Sequence, residues 1–393
     1  MAELAQIIDQ VVRRERGRIV GGLLRLCGSL DAAEEAFQDA VLAALQAWRD
    51  ELPANPGAWL VTAAKNRAKD AHRHRAVTEA KAPLLEHEED TIDTVTGDQL
   101  RLIVTCCHPE LAPDNQIALT LKVVCGFSTD EIARAFVTSE ATISQRILRA
   151  KRAIANTPPR ADLPIAAVLG VVYAMFNEGH VAHTGELMRL DLQAEALRLG
   201  RELCDLAPAE PEAFGLLAVM AFAAARARTR VDADGVPILL DAQDRAQWDG
   251  ELVRVGLMAL SRAHTLGGGG AYALQAAIAA VHVIAPAWER TDWAAIVALY
   301  DELLAISPSP VIALNRAIAL SMRDGPAAGL EALADQTRAL TDYHLFHAAR
   351  ADMLERLGKD PRPDLRKALA RVTNDGERRL LERRLAAATH RLP

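Results

Sequence analysis

Aromatic residues make up only 4% of the 393-residue chain, and strand-like alternation of β-branched and polar residues is almost missing. Alanine and leucine abound instead, which argues against sheet-built folds and predicts an all-α protein. Long apolar runs are also lacking. None approaches the roughly 20 residues that span a bilayer, and the opening "MAELAQIIDQVVRRERGRIV" has no apolar core of signal-peptide type. A cytoplasmic chain is the expectation. There is no excess of positive charge either. The formal net charge is −7, so any contact with nucleic acid must come from local basic patches.

Cysteine is sparse and unpaired in pattern. Cys27, Cys106, Cys107, Cys125 and Cys204 are odd in number and form no CxxC, which argues against disulfides in a reducing compartment. The stretch "VTCCHPEL" at 104–111 sets Cys106, Cys107 and His108 side by side. Neighbours on a helix point about 100° apart, and a structural zinc site needs four converging ligands. These are read as small buried side chains at a helix end. Pro109 agrees, because the residue before a proline is pushed out of the helical region.

Other motifs of site chemistry are incomplete. "NEGHVAH" groups Glu178, His180 and His183 without the HExxH spacing. It reads as a polar cluster bracing two helices, with Asn177 and Glu178 as members. "GGGG" at 267–270 lacks a following Lys-Ser/Thr and reads as a turn. The acids of "RVDADG" (230–235) and "LLDAQDRAQWD" (239–249) have no nucleophile or ligand set beside them. They read as loop and capping residues or an interaction surface. No catalytic residue, metal or cofactor is expected, and the chain is not expected to be an enzyme.

The chain divides into four parts. Residues 1–82 read as helices with a basic end, and 83–98, "PLLEHEEDTIDTVTGD", as an acidic linker. Residues 99–157 form a compact helical unit, and 164–393 a run of alanine- and leucine-rich helices. That last part echoes itself. "ELCDLAPAEPEAFGLLAVMAF" from Glu202 and "ELLAISPSPVIALNRAIAL" from Glu302 each carry a helix, a proline turn and a second helix with small residues. "YHLFHAARADMLERLGKDPRPDLRKALARV" supplies a third pair. The period is not strict, so the reading is tetratricopeptide-like.

In "GFSTDEIARAFVTSEATISQRILRAKRAI", Ser128 and Glu131 form a capping box before a short helix. Ser139 caps a second helix in which Ile143, Ile147, Ala150 and Ile154 make a buried stripe. Thr142, Gln145, Arg146, Arg149 and Arg152 lie largely away from that stripe. This is either a helix-turn-helix, with early residues for base edges and later arginines for phosphates, or a hairpin with a solvated basic face. Upstream, "DAAEEAFQDAVLAALQAW" predicts an amphipathic helix with Phe37, Val41, Leu45 and Trp48 inward. Pro53 and Pro56 make a loop, and Lys65, Arg67, Lys69, Arg73 and Arg75 follow within about three turns.

An acidic "AEEAFQDA" helix, then "NPGAWLVTAAKNRAKD", then "GFSTDEIARAF…ATISQRILRAKR" resembles the extracytoplasmic-function sigma factors of bacterial RNA polymerase over residues 1–157. "FNEGH", "RVDADG", "LLDAQDRAQWD", "LQAAIAAVH", "PSPVIALNRAIAL", "YHLFHAARADML" and the "TCCHPEL" stretch are similar to the subgroup with a large tetratricopeptide-like extension. The resemblance implies that the helix of Glu34, Glu35, Phe37, Gln38 and Asp39 docks on the β′ coiled coil of core polymerase, with the β flap as a second contact. It implies that Arg49, Lys65, Asn66, Lys69 and Arg73 hold the −10 element, Asn66 matching a pocket for a flipped-out base. Thr142, Gln145, Arg146, Arg149 and Arg152 would meet the −35 element. Opening DNA costs a few kcal/mol per unstacked base, and a pocket that bonds one extruded base recovers part of it. Thr138-Ser139-Glu140 departs from the proline or glycine common at this turn, and Glu140 would repel phosphate.

Three functions follow as expectations. The first is a sigma factor whose extension, with a protein or small ligand of its own, modulates it in cis. The second is a ligand- or partner-sensing helix-turn-helix activator. The third is an enzyme in the extension, which metal bound at His180 and His183 would favour.

Overall fold

The computed structural model describes residues 2–49, 51–78, 92–136, 138–155, 165–180 and 190–391. Among them are α-helices, short 3-10 turns and one isolated β-bridge, Val231 with Pro237, but no strand. The chain is all-α. Two compact units divide at Ala174 and Met175.

The first unit contains α1 (Ala2–Cys27), α2 (Leu30–Ala47), α3 (Pro56–Thr78), α4 (Ile92–Cys106), α5 (Pro113–Val123), α6 (Thr129–Ala135) and α7 (Glu140–Ala155). Gly28, at φ 71°, ends α1. Ser29 then starts α2, its Oγ accepting the Ala32 N–H at 3.3 Å. Buried Ala33, Ala36, Phe37, Ala40 and Ala44 form the inner stripe of α2. Leu45, expected inward, is 38% exposed, because those small alanines bring the neighbouring helices onto the adjacent face.

The acidic stretch 83–98 is not a linker throughout. Helix α4 begins within it, at Ile92, and packs on α1. Gly21 permits this, since a Cβ there would stand 2.7 Å from the Asp98 carbonyl oxygen. Asp98 is buried and accepts from Arg25 Nε at 3.1 Å, so its charge is met inside the fold. Residues 83–91 lie outside the described residues. Cys106, Cys107 and His108 are buried where α4 ends. Gln116 Nε2 donates to the Cys107 and His108 carbonyls at 3.1 and 2.8 Å, satisfying two of the orphan acceptors of the helix end. Burial pushes the Cys107 thiol up to about 12, which leaves it an inert apolar group.

Helix α8 (Ile165–His180) contains the division between units. Its side chains Val168, Leu169, Val172, Met175 and Phe176 are buried on both sides of that division.

The second unit continues with α9 (Leu190–Leu206), α10 (Pro211–Ala225), α11 (Gly250–Thr265), α12 (Ala271–Ile284), α13 (Trp293–Ile306) and α14 (Pro310–Arg323). It ends with α15 (Pro326–Leu333), α16 (His344–Arg356), α17 (Arg362–Leu369) and α18 (Asp375–Arg391). The three sequence echoes are the hairpins α9–α10, α13–α14 and α16–α17. Leu274, Ile296 and Leu320 join α12 to α13 and α14 in one core cluster. Leu314, Leu333 and Phe346 join α14 to α15 and α16 in the next. Ala351, Leu365 and Leu381 join α16 to α17 and α18. Each cluster shares a helix with the one after it, which is the stacking logic of a solenoid. The last helix also reaches back, Arg383 pairing with Asp232 and Asp234 at 2.8 and 3.2 Å. Asp232 Oδ1 itself accepts the Asp234 and Val236 N–H groups, so these acids do order a loop.

Helices α10 and α12 touch at backbone distance. A Cβ on Gly215 would stand 2.6 Å from the Ala273 nitrogen, and Glu212 accepts the Tyr272 and Ala273 N–H groups at 2.8 and 3.1 Å. Gly215→Ala is therefore expected to destabilise the protein by about 1–3 kcal/mol. Gly170→Ala meets nothing within 4 Å and is expected to gain about 0.5–1 kcal/mol from helix propensity. Urea denaturation followed by circular dichroism compares the two.

Candidate nucleic-acid interface

The capping box forms as the sequence implies. Ser128 N–H donates to Glu131 Oε2 at 2.7 Å and Glu131 N–H donates to Ser128 Oγ at 3.1 Å. After the turn, Ser139 Oγ accepts the Thr142 N–H at 3.2 Å and starts α7. Ile143, Ile147, Ala150 and Ile154 are buried along one side of α7. Gln145, Arg149 and Arg152 are exposed on the other, with Thr142 half-buried. Arg146 is held back. Its guanidinium lies over the Phe136 ring at 5.9 Å and pairs with Asp114 at 3.3 Å. The outer face of α7 thus presents a polar, basic surface backed by an apolar stripe, as an element entering a major groove does.

A second basic surface begins at the α2–α3 loop. Trp48 and Trp59 meet edge to face, 5.5 Å between centroids, and clamp the ends of that loop. Asn55 Oδ1 accepts the Ala58 N–H at 3.0 Å and caps α3. Arg49 and Asn66 are exposed, and Lys65 and Lys69 are half-buried. Burial lowers the Lys65 pKa, and Arg25, Lys69 and Arg18 nearby lower it further, so several cations crowd one place. Helix α3 runs on to Thr78, but the Arg73 side chain lies outside the described residues. So do the side chains of Glu178, His180 and His183.

On α2 the exposed side is continuous. Glu35, Gln38 and Asp39 face solvent together with Leu42 and Leu45, at helical spacing. Phe37 is 1% exposed beneath the Arg16 guanidinium and braces the helix from inside. The two leucines were not foreseen as part of this face. Their exposed i, i+3 spacing from residues 39 and 42 was the available signal.

Residues 11–78 match the Sigma-70 region 2 family and 101–154 the Sigma-70, region 4 family. Residues 164–264 match a family of unknown function, DUF6596. An uncharacterized protein of Rhizobium meliloti (strain 1021) is 40% identical over 94% of this chain and 93% of its own length. The chain belongs to the extracytoplasmic-function sigma factors with a large C-terminal extension. It is a transcription regulator that directs promoter recognition, and its domains imply interaction with core RNA polymerase and promoter DNA. No solved structure matches the sigma factor. Among its described residues no helix is long and apolar enough to cross a membrane.

A charged knot adds to the packing of α1 on α4 in joining regions 2 and 4 of the sigma factor. Glu34 is buried on α2. Arg16 Nη2 pairs with Glu34 Oε1 at 2.6 Å, and Lys151 Nζ from α7 pairs with Glu34 Oε2 at 2.6 Å and Asp31 Oδ1 at 2.8 Å. Arg16 Nε also donates to the Val123 carbonyl at 3.0 Å. Burial lowers the Arg16 pKa and Glu34 opposes that. For Lys151 burial also lowers, but the hydrogen bonds to Asp31 and Glu34 outweigh it and the pKa is raised. These partners are far apart in sequence, and no local pattern announced them.

Glu34→Ala would leave Arg16 buried without its carboxylate. We expect a loss of about 3–5 kcal/mol in chemical denaturation. Asp31→Ala, at the exposed end of the knot, is expected to cost at most about 1 kcal/mol.

Proposed function

We propose that the sigma factor docks on core polymerase through the α2 face of Glu35, Gln38 and Asp39, with Leu42 and Leu45 beside them and Phe37 holding the helix in shape. Charged residues next to exposed leucines suit a partner helix pair such as the β′ coiled coil. Region 4 takes the β flap as its second polymerase contact. Arg49, Lys65, Asn66, Lys69 and Arg73 line the path of the −10 strand, and Asn66 reads a flipped base. Thr142, Gln145, Arg149 and Arg152 meet the −35 major groove. Arg146 joins them once it leaves Asp114.

The observation that carries this reading is the pairing of two solvent-facing basic surfaces in one unit, each backed by its own apolar stripe or aromatic clamp. The Lys151 contact adds a requirement. The two promoter elements lie about 25 base pairs apart, about 85 Å at about 3.4 Å per pair, whereas Lys151 and Glu34 are 2.6 Å apart. Regions 2 and 4 must therefore part before both elements are engaged, and the C-terminal extension modulates that step in cis.

Run-off transcription with core polymerase and fragments that include the gene's own upstream region tests the reading. A discrete transcript that needs this protein is expected, falling about tenfold or more with Asn66→Ala or Arg149→Ala. Equal transcript from residues 1–160 and from the full chain would remove the in-cis modulation. Specific duplex binding without core, and no transcript from either form, would favour an activator.

A further inference from the structure

The extension contains a group of cations that no described carboxylate pairs with. Helix α10 ends at Ala225, and Arg226 and Arg230 follow at once. The loop then returns, with the Asp249 N–H donating to the Ala225 carbonyl at 2.9 Å, which brings Arg245 and Trp248 back to the end of α10. Arg245 stacks over the Trp248 ring at 4.7 Å and its Nη1 donates to the His282 and Ala285 carbonyls at 2.5 and 3.1 Å. The ends of α10 and α12 and the loop between residues 226 and 249 thus converge. His282 completes the group, stacked on Trp288 at 6.2 Å and edge-on to Trp293 at 5.3 Å.

Arg245 meets the His282 end of α12, Arg226 lies near both, and Arg230 lies near Arg226; among the described residues none of the four has a paired carboxylate. Arg226 makes no hydrogen bond or ion pair with any described side chain. Arg230 Nη1, Arg245 Nη2, His282 Nδ1 and Trp248 Nε1 are fully buried and have no hydrogen-bond partner. Glu377 and Glu289 are near enough to favour the charges of Arg230 and Arg245, yet neither forms an ion pair with them, and Glu377 is hydrogen-bonded with His344 Nε2 at 3.0 Å. Each helix C-terminus offers about half a negative charge, too little against three guanidiniums. The mutual repulsion is felt. Burial, with Arg226 adding to it, takes Arg230 down to about 10, and burial with Arg226 and Arg245 takes His282 down to about 4. Buried charges are ordinarily paired, and buried donors ordinarily have acceptors.

We propose that Arg226, Arg230, Arg245, His282 and Trp248 form a binding site for a small, multiply charged oxyanion, a metabolite bearing phosphate or carboxylate groups. Guanidinium forks bind such groups bidentately. The neutral imidazole and the indole N–H add donors without further charge, and Trp288 and Trp293 wall the site behind His282. Enclosure of the donor atoms favours a small molecule over a duplex. The site stands on its own geometry, whether or not the extension modulates transcription.

The test uses the full chain, calorimetry and thermal melting, with inorganic phosphate and citrate as probes against sodium chloride of equal ionic strength. We expect saturable binding of at least one probe and a Tm that rises with its concentration. Response to phosphate alone marks a phosphate-bearing ligand, and response to citrate alone a carboxylate-bearing one. Binding should weaken tenfold or more in Arg226→Met and in Arg245→Met, and stay unchanged in Arg254→Ala on α11. Without anion, Arg226→Met should melt no lower than the parent, because a partly buried cation with no described partner has been removed. A lower Tm for that variant, together with melting of the parent that no anion shifts beyond chloride, would make these arginines structural braces and overturn the proposal. Binding that survives both Met variants would place the anion elsewhere and overturn it as well. No polymerase is needed, so failure here is distinct from failure of the promoter reading.

Discussion

One buried carboxylate governs the N-terminal half of this sigma factor. Glu34 stands between a cation from its own region and a cation from the DNA-reading helix, and it satisfies both. Desolvating such a group is costly, and only close, well-aligned partners offset it. The arrangement is therefore stable while both cations stay. It also uses Lys151, a residue of the very helix that would enter the groove. A phosphate competing for that lysine would act on this contact.

Much of the fold was legible. The capping box at Ser128, the apolar stripe of α7 and the three proline-turned hairpins rest on local rules of spacing and capping, and local rules can be read without coordinates. The departures came from long-range packing. Leu45 faces outward because alanines set the closest approach of α2 to its neighbours. Helix α4 starts inside an acidic stretch because Arg25 receives Asp98 and Gly21 lets the chains meet. The division of the chain falls within α8, whose continuous buried face gives no break for sequence to mark.

The candidate site residues divide in the same way. The exposed Gln145, Arg149 and Arg152 follow from helical periodicity, and the family resemblance named their role. That Arg146 leans on Phe136 and Asp114 is a tertiary fact. So is the cluster of Arg226, Arg230, Arg245 and His282. Its members sit in three separate stretches of sequence, each unremarkable as a surface arginine or a helix-end histidine. Only the return of the loop at Asp249 and the reach of Arg245 to the end of α12 make them neighbours.

The clasp between the last helix and the loop after α10 changes what kind of object the extension is. In an open stack of helix pairs, each end frays alone and local damage stays local, since every repeat touches only the next. Here Arg383 grips Asp232 and Asp234, and Gly376 lies so near Gly235 that a Cβ would stand 2.6 Å from its carbonyl oxygen. The sequence of neighbours closes on itself. A change at α18 therefore has a direct route to the loop that carries Arg230, without crossing the hairpins between, and the extension has a short circuit from its tail to that loop.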